Sequence, residues 1–142
     1  TVYGPAGRPD MAPYRFTECC LKDEEIQLFG DGKQSRDFTY VDDIALGTIA
    51  ALDKRLPGFE IINLGGGGER TTILEMIEMI GQISQKTPKI KFLPVAQGDM
   101  LHTSASIEKA EKMLAWKPQT NLYTGLSQLV AFHQKQSPWS LD

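Results

Sequence analysis

Hydrophobic residues along the chain follow two periods, and together these periods predict an α/β fold. Short runs of apolar, β-branched and aromatic residues predict strands at 26–29, 38–41, 60–64 and 90–93. Apolar residues at helical spacing, such as Ile73, Ile77 and Ile80, predict about five helices. We therefore expect one compact α/β unit with a small mixed or parallel sheet of about three or four strands.

Residues that commonly cap helices precede the predicted helices. The candidates, in chain order, are Asp10, Asp42 or Asp43, Thr72, Ser106 and Asn121. Thr72 and Glu75 have the spacing of a capping box. The helix after Asp43 carries apolar residues Leu46 and Ile49 at helical spacing.

The segment 60–64 is nearly continuously apolar, which is typical of a strand buried on both faces of a parallel sheet. Four glycines, 65–68, follow it and suggest a phosphate-binding loop. The spacing does not match Gly-x-Gly-x-x-Gly, and no Gly-Lys-Ser/Thr follows. We therefore favour a flexible turn over a phosphate loop.

Composition narrows the classes of function. The 142 residues are 41% hydrophobic and 23% charged, with a formal net charge of -3, so no basic face indicates nucleic acid or anionic lipid. No apolar run approaches the ~20 residues of a membrane span. The two cysteines, Cys19 and Cys20, are adjacent in a predicted helix and cannot easily bridge. We expect a reducing compartment, by default the cytoplasm.

Arg36 is the most informative candidate for ligand binding. It stands between the polar turn 30–35 and the predicted strand 38–41, so its position can be well fixed. A guanidinium held in this way can bind a phosphate or carboxylate through two parallel hydrogen bonds. The alternative is a surface ion pair with Asp37 or Asp42. The spacing alone does not decide between them.

Catalytic and metal-binding patterns find little support. His102 and His133 lie far apart, without a nearby cysteine or carboxylate cluster at ligand spacing. We expect His102 to be a solvated loop residue and His133 to be partly buried on the last helix. We predict neither a catalytic residue nor a metal ligand.

Several motifs follow one another in an order that resembles a known family. They are Thr-Val-Tyr-Gly-Pro at 1–5, Gly-Arg-Pro-Asp-Met-Ala at 7–12, Phe-Gly-Asp-Gly at 29–32, Arg-Asp-Phe-Thr-Tyr-Val-Asp-Asp at 36–43, Asn-Leu-Gly at 63–65, Gly-Asp at 98–99 and Trp-Lys-Pro at 116–118. This order is similar to the carboxyl-terminal half of NAD-dependent nucleotide-sugar epimerases and dehydratases of the extended short-chain dehydrogenase/reductase family. The first two motifs look most like the UDP-glucuronate 4-epimerase branch.

The resemblance implies that 1–142 is a substrate-binding domain and that a Rossmann domain lies upstream of Thr1. In such enzymes the Rossmann domain binds NAD and carries a Tyr-x-x-x-Lys catalytic pair. Here no lysine follows Tyr3, Tyr14, Tyr40 or Tyr123 by four residues. We therefore expect the chain alone to be inactive, and the segment 60–64 to join the missing Rossmann sheet. The full-length enzyme is expected to be a homodimer.

The resemblance also assigns roles to individual positions. Arg36 matches the arginine that pairs with the diphosphate of the UDP-sugar, and Asp99 matches an aspartate near the ribose. Phe29 and Gly30 match the strand end beside the uracil, Thr1 and Arg8 match positions near the sugar carboxylate, and Tyr3 and Pro5 would border the nicotinamide. Gln97 stands where many relatives carry a second diphosphate-binding arginine.

The favoured function is therefore UDP-sugar binding within an NAD-dependent epimerase that acts at C4 of UDP-glucuronate. Two alternatives share this half-domain, a UDP-sugar 4,6-dehydratase and a UDP-glucuronate decarboxylase. A third alternative is a nucleotide-sugar binding module without catalytic activity.

Overall fold

The computed structural model describes residues 1–66, 70–95 and 98–135. These residues form five helices, α1 (Ala12–Leu21), α2 (Val41–Lys54), α3 (Ile73–Ser84), α4 (Glu108–Leu114) and α5 (Leu122–Lys135). They also form six short strands, β1 (Val2–Tyr3), β2 (Glu25–Phe29), β3 (Ser35–Arg36), β4 (Thr39–Tyr40), β5 (Thr71–Thr72) and β6 (Lys89–Leu93). The predicted α/β class and the five helices are confirmed.

The strands form three separate pairs instead of one small sheet. β2 and β6 are parallel, from Glu25 opposite Lys89 to Phe29 opposite Leu93. β1 and β4 are also parallel, whereas β3 and β5 are antiparallel. The predicted mixture of parallel and antiparallel pairing is correct, and the described strands are shorter and more numerous than expected.

The largest core lies between α1, α3, α5 and the strands. Met76, Ile77 and Ile80 of α3 are fully buried, which confirms the predicted apolar stripe. The neighbouring stripe of α5, which includes Leu126 and Leu129, packs into the same cluster. Burying such large side chains supplies most of the driving force for folding.

The capping predictions are partly correct. Thr72 forms the predicted capping box with Glu75, and Asn121 accepts a hydrogen bond from the backbone N–H of Thr124 at 2.8 Å. Asp10 and Ser106 cap no helix, because α1 and α4 begin after Met11 and Ile107 without a side-chain cap. A proline in the first turn favours the start of α1, since proline has the helical φ and needs no partner for an N–H.

The beginning of α2 differs from the expectation. The helix starts at Val41, one residue inside the predicted strand, and neither Asp42 nor Asp43 is its N-cap. Leu46 and Ile49 face outward, with 54% and 53% of their surface exposed. The inner face is instead lined by Gly47, where an added Cβ would lie 2.7 Å from Leu64. The close approach of Leu64 therefore requires glycine on that face.

The predicted strand at 60–64 is wrong, because the structure has no strand there. Ile62 and Leu64 pack against a second, smaller core cluster that contains Leu114 and Trp116. Ile61 is 70% exposed. A strand needs a neighbouring strand for its backbone hydrogen bonds, and none of the described strands runs beside this segment.

The glycine run begins with a tight turn. A Cβ on Gly65 would lie 2.5 Å from the Cβ of Ala105, and one on Gly66 would overlap the carboxylate of Asp37. These two glycines are therefore required by close packing. Gly67 and Gly68 lie outside the described residues. Among the helices that the structure describes, none is long and apolar enough to cross a membrane.

Candidate functional site

Arg36 lies on a backbone that is fixed from both sides. Its strand, β3, pairs with β5 through Arg36 and Thr71. On the other side, the N–H of Ser35 donates to the carbonyl of Leu101 at 2.8 Å, and the N–H of Thr103 donates to the carbonyl of Ser35 at 3.2 Å. The guanidinium therefore starts from a rigid position, as the sequence suggested.

The guanidinium of Arg36 is mostly buried and forms an ion pair. Its Nη2 donates to Oδ1 of Asp99 at 2.7 Å. Its Nη1 donates to the carbonyl of Ser35 at 3.0 Å. The ion-pair partners considered from the sequence, Asp37 and Asp42, are therefore not the partners of Arg36.

Asp37 instead forms hydrogen bonds that connect its own segment to Thr1 and to residues 103–105. Its Oδ2 accepts a hydrogen bond from the N–H of Ala105 at 3.0 Å. Its carbonyl accepts one from the backbone nitrogen of Thr1 at 2.9 Å. Its own N–H donates to the carbonyl of Thr103 at 3.1 Å. These bonds bring Thr1 and the segment 103–105 next to Arg36.

Arg36 and Asp99 face a cleft of about 240 Å³. α1 and the end of β2 form its walls. The lining residues are Thr1, Asp10, Met11, Ala12, Arg15, Phe16, Gln27, Leu28, Phe29, Gln34, Arg36, Phe38, Ile73 and Asp99. The structure thus brings together Thr1, Phe29, Arg36 and Asp99, which the sequence had placed in one site.

Two of the predicted substrate residues lie beside this cleft. Arg8 is exposed, and its Nε donates to Oδ1 of Asp10 at 2.8 Å. Asp10 itself lines the cleft, so Arg8 is near its edge. Gly30 has a φ of 74° and donates its N–H to the carbonyl of Leu93 at 2.9 Å. This left-handed turn ends the β2–β6 pair at the mouth of the cleft.

The residues predicted to border a nicotinamide are separated from the cleft lining. Tyr3 is 4% exposed, and its hydroxyl donates to the carbonyl of Leu122 at 3.3 Å. Burial raises the pKa of this hydroxyl. Pro5 is half-buried in the following turn. The side chain of Tyr3 therefore belongs to the core. Gln97 lies outside the described residues.

Arg15 and Gln34 are among the cleft residues that the sequence interpretation missed. Arg15 is an exposed cation on α1 and forms no side-chain hydrogen bond or ion pair with the described residues. Gln34 donates from Nε2 to the carbonyl of Phe29 at 2.8 Å and so fixes the end of β2. No local pattern in the sequence distinguishes Arg15 from other polar residues on a helix.

Both histidines form specific contacts. Nδ1 of His102 lies 2.8 Å from Oγ of Ser35, in an exposed loop beside β3. The ring of His133 packs edge-to-face against Tyr14, with 4.4 Å between ring centroids, and burial lowers its pKa. The described residues contain no group of His, Cys, Asp and Glu suited to a metal ion. In the cleft itself, a cation, Arg36, and an aromatic side chain, Phe29, are both part of the lining.

Comparison with known proteins shows which proteins this chain resembles. Residues 1–65 match the model of the NAD dependent epimerase/dehydratase family. This match covers somewhat less than half of the chain, 65 of its 142 residues. It is 48% identical over 130 residues to the UDP-glucuronate 4-epimerase of Thermodesulfobacterium geofontis, covering 92% of this chain and 40% of that protein. Fold and sequence motifs therefore lead to the same group of enzymes.

Solved structures of epimerases share this fold. The UDP-glucuronic acid 4-epimerase of Bacillus cereus, in complex with UDP-glucuronic acid and NAD, aligns with a TM-score of 0.90 and 41% identity over 95% of this chain and 43% of that one. The UDP-glucose 4-epimerase of Thermotoga maritima, solved with UDP-glucose, aligns with a TM-score of 0.88 and 30% identity over 95% and 44%. The chain thus spans less than half the length of these relatives.

Proposed function

We propose that residues 1–142 form the substrate-binding portion of an NAD-dependent epimerase that acts at C4 of UDP-glucuronate. The observation that carries this proposal is the position of Arg36, which is fixed on a paired strand and directed into a cleft beside Asp99. The relatives named for UDP-glucuronate 4-epimerase activity support the choice of substrate.

Arg36 would bind the diphosphate. A guanidinium presents several N–H donors in one plane, which suits the oxygens of a phosphate. Nη2 of Arg36 donates to Asp99, and Nη1 donates to the carbonyls of Ser35 at 3.0 Å and Leu101 at 3.5 Å. Nε and the second N–H of Nη2 form no hydrogen bond with the described residues, so they are available to a ligand. Its low exposure, 17% for the side chain, strengthens an interaction with an anion because less water competes.

The remaining cleft residues would hold the two ends of the ligand. Phe29 and Gly30 lie at the end of β2, where an aromatic face and a tight turn suit a flat base such as uracil. Thr1 offers a hydroxyl in the cleft, and Arg8 a cation at its edge, and both suit the sugar carboxylate. We also assign Gln97 to the diphosphate and Asp99 to the ribose, from the family resemblance.

The rest of such an enzyme would supply catalysis and most of the cofactor site. NAD, when bound, would accept and return the hydride, and the family resemblance places Tyr3 and Pro5 beside it. This chain has no tyrosine with a lysine four residues later, so its own contribution is to bind and orient the sugar. The outward apolar face of α2, with Leu46, Ile49 and Leu52 exposed, and the segment 60–64 would contact the rest of the enzyme.

Cytoplasmic location and homodimer formation stay predictions. Cys19 and Cys20 are both free thiols, which is consistent with a reducing compartment.

A chimeric enzyme tests the proposed substrate. This chain would replace the matching 43% of the Bacillus cereus epimerase, which supplies the remaining domain. We expect the chimera to convert UDP-glucuronate to its C4 epimer in the presence of NAD, with a higher kcat/KM than for UDP-glucose. A folded, NAD-binding chimera that does not prefer UDP-glucuronate would contradict the substrate assignment.

A binding measurement separates this function from a self-sufficient binding module. We expect the chain by itself to bind UDP much more weakly than the chimera does, because part of the site would come from the other domain. Equal affinities of the chain and the chimera would favour the non-catalytic module. A sugar-nucleotide product other than the C4 epimer would favour a dehydratase or a decarboxylase.

A further inference from the structure

In the ion pair of Arg36 and Asp99, the carboxylate of Asp99 lies where the proposed phosphate would contact Arg36. The carboxylate of Asp99 lies 2.7 Å from Nη2 of Arg36. A charged N–H···O bond of this length is among the stronger hydrogen bonds in proteins. A phosphate that approaches Arg36 must therefore displace Asp99 or bind beside a like charge.

The backbone of Arg36 is held by more hydrogen bonds than that of Asp99. Arg36 is anchored by the pairing of β3 with β5 and with the carbonyl of Leu101. Asp99 follows Gly98, which has a φ of 85° and at which an added Cβ would meet no described atom within 4 Å. Met100, the next residue, is 63% exposed. Asp99 can therefore move away from Arg36, whereas Arg36 stays in place.

The other charges of the cleft do not remove this competition. Asp10 and Arg15 also line the cleft, and Asp10 is already paired with Arg8 at 2.8 Å. Arg15 forms no ion pair with the described residues. Among the described residues, the carboxylate of Asp99 thus has Arg36 as its ion-pair partner.

We propose that Asp99 is a specificity-determining residue that keeps bare phosphates away from Arg36. A partly buried carboxylate that leaves its cation loses a strong hydrogen bond, and this loss must be offset by a new donor. A nucleoside diphosphate carries hydroxyl groups near its phosphates that can donate to Asp99. Inorganic pyrophosphate carries no such sugar hydroxyl. This inference rests on the proposed function, since it assumes that Arg36 binds the diphosphate of a nucleotide sugar.

Titration calorimetry of the chimera with inorganic pyrophosphate tests the exclusion of bare anions. We expect Asp99→Asn in the chimera to bind pyrophosphate at least about threefold more tightly than the unchanged chimera, because it removes the competing charge. The matched control is Asp31→Asn, which makes the same charge change at an exposed residue paired with Lys33. That variant should bind pyrophosphate with nearly unchanged affinity.

A double-mutant cycle shows whether the effect acts through Arg36. We expect Asp99→Asn to bring no gain in pyrophosphate affinity when Arg36 is replaced by alanine. The proposal is overturned if Asp99→Asn gains no more than Asp31→Asn, if the gain persists without Arg36, or if neither the unchanged chimera nor its Asp99→Asn variant binds pyrophosphate.

The preference between ligands is measured in the chimera. Asp99→Asn should lower the ratio of UDP affinity to pyrophosphate affinity at least about threefold. Equal gains for both ligands would overturn the role of Asp99 in selecting hydroxyl-bearing ligands. Failure of the proposed function would appear separately, as a folded chimera of the unchanged sequence that does not use UDP-glucuronate.

Discussion

Trp116 donates its indole N–H to the backbone carbonyl of Asp43 at 2.9 Å. The carboxylate of Asp43 in turn accepts hydrogen bonds from the backbone N–H groups of Gln119 and Thr120, both at 3.0 Å. Asp43 is only 1% exposed. It therefore ties the start of α2 to the Trp-Lys-Pro segment, although the two lie far apart in the sequence.

Replacing Asp43 should destabilise the chain strongly. Asp43→Ala removes a buried carboxylate and leaves two backbone N–H groups without an acceptor, which should cost about 3 kcal/mol of unfolding free energy. The control is Asp42→Ala, an exposed neighbour in the same helical turn, for which about 0.5 kcal/mol is expected. Urea denaturation measures both values. Equal losses would show that the bonds to Gln119 and Thr120 contribute little.

Arg8 should determine the preference for a sugar acid. In the chimera, Arg8→Ala should lower kcat/KM for UDP-glucuronate about tenfold, because a charged hydrogen bond to the carboxylate is lost. The value for UDP-glucose should change little, since that sugar has no carboxylate. Arg8→Lys should restore part of the loss. A similar loss for both substrates would remove the carboxylate role.

The stability of the chain should depend on pH through His133. Burial lowers its pKa in the folded state, so the unfolded chain takes up a proton more readily. Stability should therefore be fully present above the usual histidine pKa of 6.5 and should fall as pH drops below it toward the lowered folded value.

Thermal denaturation between pH 7.5 and 5.5 checks this dependence. His133→Phe keeps an aromatic ring against Tyr14 and should reduce the slope of stability with pH in that window. The control is His102→Gln, which removes the exposed histidine. An unchanged slope in His133→Phe would exclude His133 as the source.

Local sequence patterns correctly predicted features that depend only on the spacing of residues within one helix. The stripe of α3 and the Thr72 capping box were predicted correctly, because both arise within one helix. The outward positions of Leu46 and Ile49 could not be predicted. They depend on Leu64, which approaches α2 so closely that only Gly47 fits between them.

The sequence predicted that some of the cleft residues lie together, but it did not predict how they pair. Family motifs placed Arg36 and Asp99 in one site, and the cleft confirms that they lie together. Their ion pair joins residues 63 positions apart, which no local spacing reveals. Arg15 was missed because a single polar residue on a helix gives no distinct pattern.

The most direct test of the central claim is the UDP dissociation constant of the chimera with and without Arg36. Arg36→Ala should weaken UDP binding at least about tenfold, because a charged contact to the diphosphate is lost. The control is Lys33→Ala, which removes an exposed cation from the preceding turn and should change affinity less than about twofold. Circular dichroism should show the same fold in all three proteins. Equal UDP affinity in Arg36→Ala and the unchanged chimera would contradict the assignment of Arg36 to the diphosphate.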